Sequence, residues 1–588
     1  MNTLPQRLLH HYQQTPDAVC IQLLRVGQPA LPLTYRELVQ KAAGYAKKLR
    51  QYDVQPGEPV MLVLPYGIDL PAAFFGVCLA GAIPSILPYS TEKVDPTYFR
   101  QNLSALFQHT QPTAVVTTQV KADDINGHDI TAHFNGKLLA LDQIESTDSA
   151  DWLVSKPKDN KVALLQHSSG TTGLQKGVAL SHRAIFNQMD AYAAAIKLRP
   201  EADVIVSWLP LYHDMGLIAG FLLPVLTGTP LVLMSPFDWV RSPKMLFQAV
   251  SDYGGTLSWL PNFAFNFCAH KIKPADLEGI NLGTWRAVIN CSEPTRLASH
   301  RLFFDRFRSI GLRWEALSVC YGMAENVFAV TQSPLSTLLP VDAIDRTSFQ
   351  QQKMALPAST SDALTYLSAG PPIAGTEVQI VASDGRILPE RHVGEITVRG
   401  NCLLDEYYRR PDLSEIAFQA GWYLTGDYGY LAGGHLYVVG RKKEIIIVGG
   451  KNIYPQDLEA IISNVDGIHP GRVVCFGEFN STLGTEEITV IAEVEAESEI
   501  NPQLIKEAVR HSVAAATDVV VRPGRIKLVE PGWIIKTSSG KIVRYANREK
   551  YLNAEKKRAA DTTFRFQMSL DMSITAAVND YETLTFPD

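Results

Sequence analysis

The stretch of this sequence best suited to chemistry is His167-Ser-Ser-Gly-Thr-Thr-Gly-Leu-Gln-Lys-Gly177. Glycines let backbone N–H groups approach an anion closely, hydroxyls add donors, and a lysine adds a mobile positive charge. Ser168, Ser169, Gly170, Thr171, Thr172, Gly173 and Lys176 would together cradle a triphosphate. The spacing is not that of a Walker A loop, since no Gly-x4-Gly-Lys-Ser/Thr occurs anywhere in the chain. A flexible linker could share the composition. It would not ordinarily stand between a strand-like run and a helix-like one, nor carry a single lysine among its glycines.

Four other residues attract attention, and each has a bland explanation when taken singly. His213, in Leu209-Pro-Leu-Tyr-His-Asp-Met-Gly216, could be a hydrogen-bonded core histidine. Glu325 closes Tyr321-Gly-Met-Ala-Glu325, which could simply start a helix. Asp427 follows Gly426 and could be a turn aspartate. Lys541 follows Gly540 in Lys536-Thr-Ser-Ser-Gly-Lys541, where a surface lysine is unremarkable.

The elements that must position these residues alternate short apolar runs with amphipathic ones, the pattern of α/β layers. PVMLVLP (59–65), TAVVTT (113–118), VALLQHSSG (162–170) and DVIVSWLP (203–210) read as strands. Thr34–Tyr52 reads as a helix with a threonine cap, and SHRAIFNQMDAYAAAI follows the glycine-rich loop as another. Past Gly440 the texture becomes that of a small α+β unit, with VVCFGEF, EITVIAEVEAE and VVVRPGRIKLVE as strands and NPQLIKEAVRHSVAAAT as a helix. A domain boundary is expected at the Arg441–Glu444 charge cluster, giving domains 1–440 and 441–588.

At 588 residues the chain is too long for one ordinary core. Its net charge of −6, without a long basic run, argues against a nucleic-acid binder. Seven scattered cysteines with no CxxC pair, and an N-terminus with no apolar signal region, point to reduced thiols in the cytoplasm. The uncharged run from Met215 to Phe237 approaches the ~20 residues a membrane span needs. Pro224 and Thr227-Gly-Thr-Pro230 interrupt it, so a buried helix, a turn and the strand LVLM (231–234) are expected instead of an integral membrane segment.

Taken together and in order, these motifs resemble the adenylate-forming superfamily of acyl-CoA synthetases, peptide-synthetase adenylation domains and luciferases. SSGTTGLQKG resembles its signature loop, with Gln175 where a proline is usual. The resemblance implies a large layered α/β domain of several subdomains and a small mobile α+β domain. It implies that His213 lies beside the carboxylate to be activated, and that Ser292, Glu293 and Pro294 run along adenine. Tyr321 would stack on the base, followed by Gly322, Met323 and Ala324, and Glu325 would hold Mg²⁺ near the phosphates. Asp427 would accept from the ribose hydroxyls, Arg441 would meet ribose or phosphate, Lys443 would be the hinge, and Lys541 rather than Lys536 would be the catalytic lysine. ATP and Mg²⁺ are the implied cofactors.

Within that superfamily the chain resembles the fatty acyl-AMP ligases, through SWLPLYHDMGLI, IIIVGGKNIYPQDLE and a long stretch over 333–367 that looks like the insertion marking the branch. WLPNFAFNFC (259–268) suits an alkyl tunnel, with Asn262, Phe263 and Phe267 as acyl-side candidates. The resemblance implies adenylation of a long-chain fatty acid and acyl transfer to an acyl carrier protein or a polyketide or peptide synthase carrier domain. A basic docking patch is then expected on the small domain, with Arg522, Arg525, Lys527 and Arg544 as candidates. In Gly449-Gly-Lys-Asn-Ile-Tyr-Pro455 the branch's usual arginine and histidine are missing, and Ile453 is as in CoA-forming relatives. A long-chain acyl-CoA synthetase and a non-catalytic acyl- or nucleotide-binding homologue remain alternatives.

Overall fold

Thr34 and Glu37 form a capping box, each side chain bonding the other's backbone N–H, and this starts the helix Tyr35–Gln51. The helix is the one expected from the Thr34–Tyr52 pattern, and it buries Leu38, Val39, Ala42, Tyr45 and Leu49 along one side. The computed structural model describes residues 3–89, 96–126, 134, 136–141, 144–147, 158–168, 176–360, 363–448, 451–480, 485–495, 500–517, 519–537 and 540–556. The chain divides into a large unit, Met1–Gln456 with Ser538–Lys541, and a small unit, Asp457–Thr537 with Ile542–Asp588. The Arg441–Glu444 cluster expected to mark the boundary lies inside the large unit. The reason is local: the strand His435–Arg441 pairs along Trp422–Ala432 and sets Arg441 opposite Asp427.

The large unit is built on an eight-stranded sheet whose central strands run parallel, in the order Leu317–Gly322, Ala287–Asn290, Leu257–Leu260, Ile205–Ser207, Leu231–Met234, Val19–Leu24. Antiparallel strands Ala329–Gln332 and Leu31–Thr34 close its two edges. The four inner strands, Ala287–Asn290, Leu257–Leu260, Ile205–Ser207 and Leu231–Met234, are short, mostly apolar and buried throughout, as parallel strands covered on both faces must be. A second, parallel sheet orders Ile83–Ile86, Pro59–Val63, Ala114–Thr117 and Lys137–Ala140. Antiparallel strands Val162–Ser168, Lys176–Ser181 and Glu406–Tyr407 form a third.

The uncharged run from Met215 differs from the expected helix in its winding. Met215–Leu222 is a π-helix, fully buried, that continues as the α-helix Leu223–Thr227 and stops at Gly228 in the left-handed region. Gly216 is closely packed within it, since a Cβ there would clash with the Pro210 carbonyl oxygen. The strand Leu231–Met234 follows as expected. Among the described residues no helix is long and apolar enough to cross a membrane.

The small unit sets Ile468–Asn480 antiparallel to Thr485–Val494, and Ile526–Val529 parallel to the latter. The last strand is shorter than VVVRPGRIKLVE suggested, because Pro523–Arg525 turns as a 3₁₀ segment. The helix Pro502–Thr517 lies between them in sequence, as expected.

Candidate active site

The glycine-rich loop leaves one strand and returns on its neighbour, with Ser168 directly opposite Lys176. Its ends are therefore fixed, while Ser169, Gly170, Thr171, Thr172 and Gly173 lie outside the described residues. Lys176 Nζ stands 4.6 Å from the ring centre of Tyr407. Burial lowers the pKa of that ammonium, and the charge of Glu325 partly opposes the shift. His167, opposite Gly177, is buried with neither ring nitrogen hydrogen-bonded, and burial takes its pKa down to about 4. It is therefore neutral at physiological pH.

Glu325 sits in the 3₁₀ turn Ala324–Asn326, just past the strand that carries Tyr321. Its backbone oxygen accepts from Leu404 N at 2.8 Å, and its Oε1 accepts from the Tyr407 hydroxyl at 2.9 Å. Val327 follows with φ 62° and ψ −52°, and Phe328 N donates to Asn326 O at 2.6 Å, which is a γ-turn on a buried β-branched residue. Such a turn is strained and persists only where its surroundings dictate it. No group of three or more metal-ligating side chains occurs among the described residues. A single carboxylate fits Mg²⁺, which is usually held by one or two carboxylates with phosphates and waters completing its shell.

On the nucleoside side, Asp427 is buried and both its oxygens are engaged. Arg441 Nε lies 2.9 Å from Oδ1, and the Tyr321 hydroxyl donates to Oδ2 at 2.7 Å. Tyr321, expected to stack on a base, is thus tied through its hydroxyl to the expected ribose carboxylate. Ser292 stands in the left-handed region at φ 71°. Glu293 reaches back to accept from Phe263 N at 2.9 Å, so it caps the helix Asn262–Lys271, whose Pro261 supplies no cap of its own.

Lys541 Nζ lies 2.9 Å from His213 Nε2, and His213 Nδ1 lies 2.5 Å from Asp214 Oδ1. An ammonium only donates, so Nε2 carries the lone pair and the ring proton sits on Nδ1, facing Asp214. Burial pushes the Asp214 carboxyl up, but the electrostatic pull and hydrogen bond of the His213 ring and the charge of Lys541 outweigh it and leave the pKa below its usual value. For Lys541 the order reverses: burial dominates and lowers its pKa, with Asp214 and Glu293 opposing. Gly540, at φ +88°, lets this loop turn, and a Cβ there would stand 3.1 Å from the Phe263 ring.

His213 and Lys541 line a pocket with Trp208, Leu209, Pro210, Met215, Gly216 and Pro261. Trp208 stacks on Trp239 with centroids 3.6 Å apart, and Phe263 meets both edge-on. Phe267 packs 5.3 Å from Trp239. The aromatic run 259–268 is therefore split. Phe263 and Phe267 join this cluster, whereas Trp259 donates to Tyr192 and Phe265 stacks on His300 in the core. Asn262 is engaged elsewhere: its amide donates to Ser299 and its oxygen accepts from Asn290 and Arg296 N, which fixes the Cys291–Pro294 loop. Asp214, Trp239 and Tyr407 were not singled out from sequence for these places. Only Asp214, adjacent to His213, carried a visible signal.

The described residues of the 333–367 stretch form an appendage built on a strand pair. Val341–Ile344 pairs with Leu364–Leu367, and Ser348–Gln352 forms a π-turn between them. Phe349 lies 5.6 Å from the ring of Tyr454, and Asn452 donates to Gln350 O at 3.3 Å. Lys443 occupies the 3₁₀ turn Lys442–Glu444. In the small unit the expected basic patch is neutralised: Arg522 pairs with Glu487, Arg525 with Glu478 and Glu487, Lys527 with Glu555, and Arg544 with Glu459. These pairs brace the unit internally, and Lys536 donates there to Gly471 O.

Residues 8–408 match the AMP-binding enzyme family. The chain is 30% identical to the long-chain-fatty-acid–AMP ligase FadD26 of Mycobacterium marinum over 93% of its own length and 97% of the relative's. It is 29% identical to the medium-chain-fatty-acid–[acyl-carrier-protein] ligase JamA of Moorena producens, over 92% and 93%. A solved structure from a study of fatty acyl-adenylate ligases of E. coli and L. pneumophila superposes with a TM-score of 0.85 at 28% identity, covering 95% of this chain and 98% of that one. The order of motifs, the layered fold and these likenesses agree: the chain belongs to the AMP-binding enzymes, the acid-activating adenylate-forming ligases, in their fatty acyl-AMP ligase branch.

Proposed function

We propose that the protein joins a long-chain fatty acid to ATP, releases pyrophosphate, and passes the acyl group from acyl-AMP to the phosphopantetheine thiol of an acyl carrier protein or synthase carrier domain. The observation that carries this reading is a cation and an apolar wall in one pocket. Lys541 Nζ and His213 are 2.9 Å apart there, and Trp208, Leu209, Pro210 and Met215 supply the lining. A fatty acid needs both, a charge for its head and an apolar wall for its chain.

A carboxylate acylates poorly because oxide would have to leave. One carboxylate oxygen attacks the α-phosphorus of ATP, the bond from that phosphorus to the bridging oxygen breaks, and pyrophosphate departs. No covalent enzyme intermediate is required. The protein must bring two anions into line and offset the charge growing on the phosphorus oxygens. Lys541 supplies that charge, and His213, held by Asp214, orients the acid. Asp427 and Arg441 take the ribose, with Cys291–Pro294 along the base. Mg²⁺, held by Glu325 and the phosphates, would neutralise phosphate charge. In the second half-reaction the thiol sulfur attacks the acyl carbon, AMP leaves, and the thiol proton passes to solvent.

The contact of Phe349 with Tyr454 supports a carrier over CoA as acceptor, because it ties the segment past Lys443 to the appendage. A cytoplasmic setting agrees with seven buried, unpaired cysteines. The test is a product assay with ATP, Mg²⁺ and labelled fatty acid, run alone, with CoA, and with phosphopantetheinylated carrier protein. Acyl-AMP that accumulates regardless of CoA and is consumed by the carrier is the expected result. Rapid conversion to acyl-CoA would make the protein a CoA synthetase. No pyrophosphate release from any acid would leave a binding protein.

A further inference from the structure

One side chain serves two charged residues at once. The Tyr407 ring lies under Lys176 Nζ at 4.6 Å, and its hydroxyl donates to Glu325 Oε1 at 2.9 Å. A phenol has one proton to give, so the 2.9 Å contact with the Tyr423 hydroxyl is made by Tyr423 donating to Tyr407. The result is a chain of donors from Tyr423 through Tyr407 to the carboxylate. Lys176 and Glu325 come from separate places, the returning end of the glycine-rich loop and the 3₁₀ turn after Tyr321.

Tyr407 is itself held firmly. It is 2% exposed, pairs with Val178 in the strand beside Lys176, and its backbone N–H donates to Ser414 Oγ at 2.9 Å. A cation over a ring face is attracted by the ring quadrupole, and a phenol donating to a carboxylate is a charge-assisted bond. Both interactions set direction as well as energy. Neither asks Tyr407 to touch a substrate.

We propose that Tyr407 is a positioning residue that aims Glu325 at the metal through its hydroxyl and holds Lys176 ready for the phosphates through its ring. The proposal rests on the roles given above to Glu325 and Lys176. Its two halves separate by mutation. Tyr407→Phe keeps the ring under Lys176 and removes the bond to Glu325, whereas Tyr407→Leu removes both.

The experiment is calorimetric binding of ATP to the full chain without fatty acid, in EDTA and again at saturating Mg²⁺, with thermal melting to establish that each variant is folded. Tyr407→Phe is expected to bind metal-free ATP as the wild type does and to lose about tenfold of the affinity that Mg²⁺ adds. Tyr407→Leu should also lose metal-free affinity. Adding Tyr407→Phe to Glu325→Gln should cause no further loss of the Mg²⁺ effect, because the hydroxyl acts only through that carboxylate. If Glu325→Gln abolishes the Mg²⁺ effect and Tyr407→Phe leaves it whole, the inference about Tyr407 is wrong and the role of Glu325 stands. If Glu325→Gln leaves the effect whole, the role of Glu325 falls and the inference with it. Equal loss of metal-free affinity in the Phe and Leu variants would also overturn the division between ring and hydroxyl.

Discussion

Asp214 holds His213 by its Nδ1 at 2.5 Å, which turns Nε2 of the same ring toward Lys541. The buried carboxylate therefore does two things. It fixes the histidine tautomer, and it supplies the negative charge that keeps a buried ammonium tolerable. Asp214→Asn keeps the shape and removes the charge. Losing a charged hydrogen bond costs about 1.5–3 kcal/mol, so kcat/KM for pyrophosphate release should fall roughly ten- to a hundredfold. The folded pKa of Asp214 lies below its unfolded value, so its contribution to stability is present above the unfolded value and is lost as pH falls through the folded one. Acid melts of the variant should lack that part of the decline. A variant with wild-type kinetics would show that the Asp214 charge is dispensable.

Lys541 carries the opposite shift. Its folded pKa is lowered, chiefly by burial, so the ammonium loses its proton at a lower pH than an ordinary lysine. Between the folded value and 10.5 the unfolded chain binds more protons, and stability should rise with pH there while adenylation falls. The pH profile of acyl-AMP formation should thus show an alkaline limb below pH 10.5. Lys541→Arg should remove that limb, since guanidinium stays charged. Lys541→Ala should lower the rate ~10²- to 10³-fold, as loss of one transition-state donor does elsewhere. An alkaline limb unchanged in the arginine variant would assign the titration to another group.

How much of this was legible beforehand depended on whether the signal was local. The Thr34 cap and the strand Leu231–Met234 follow from period and turn chemistry within a few residues, whereas the return of the glycine-rich loop on the strand Lys176–Ser181, ahead of the expected helix, depends on pairing with Val162–Ser168. The π-winding at Met215 was not legible, because an unbroken apolar run does not distinguish it from α-winding and the contacts around it come from elsewhere in the chain. Tyr407 was invisible for a similar reason, since Lys176 and Glu325 meet it only through strand pairing and a turn distant in sequence. The acidic partners of the four basic residues of the small unit were not legible either, because charge in a sequence says nothing about the group that comes to face it.

Trp239 is fully buried, stacked on Trp208, and packed between Phe263 and Phe267. The two stacked indoles occupy space next to the pocket that contains His213. Their Nε1 atoms are buried without an acceptor, unlike those of Trp259 and Trp285, which donate to Tyr192 and Ser258. Trp239→Ala should therefore extend the room for an acyl chain at a stability cost of about 3–5 kcal/mol. Competing acids of graded length, scored by acyl-AMP formed, should show the variant's preference moving toward longer chains. An unchanged profile in a folded variant would place the acyl chain elsewhere.

Phe349 gives the appendage its grip, being buried between Tyr366 and Tyr454 at 5.5 and 5.6 Å. Tyr454 follows the hairpin of Ile446–Val448 and Lys451–Ile453, and Asn452 adds its bond to Gln350 O. Any rotation that begins at Lys443 must carry this segment away from the appendage or carry the appendage with it. Phe349→Ala removes the aromatic contacts but leaves the hairpin Val341–Ile344 with Leu364–Leu367, which Arg391 and Tyr430 anchor through Asp342. The variant should adenylate at near wild-type rate and, unlike the wild type, convert acyl-AMP to acyl-CoA when CoA is added. Chromatography of acyl-AMP and acyl-CoA from one reaction reads both steps. Were acyl-AMP to persist with CoA present, the barrier to CoA would have to lie outside this contact. Were the wild type already to form acyl-CoA, the appendage would not be a barrier at all.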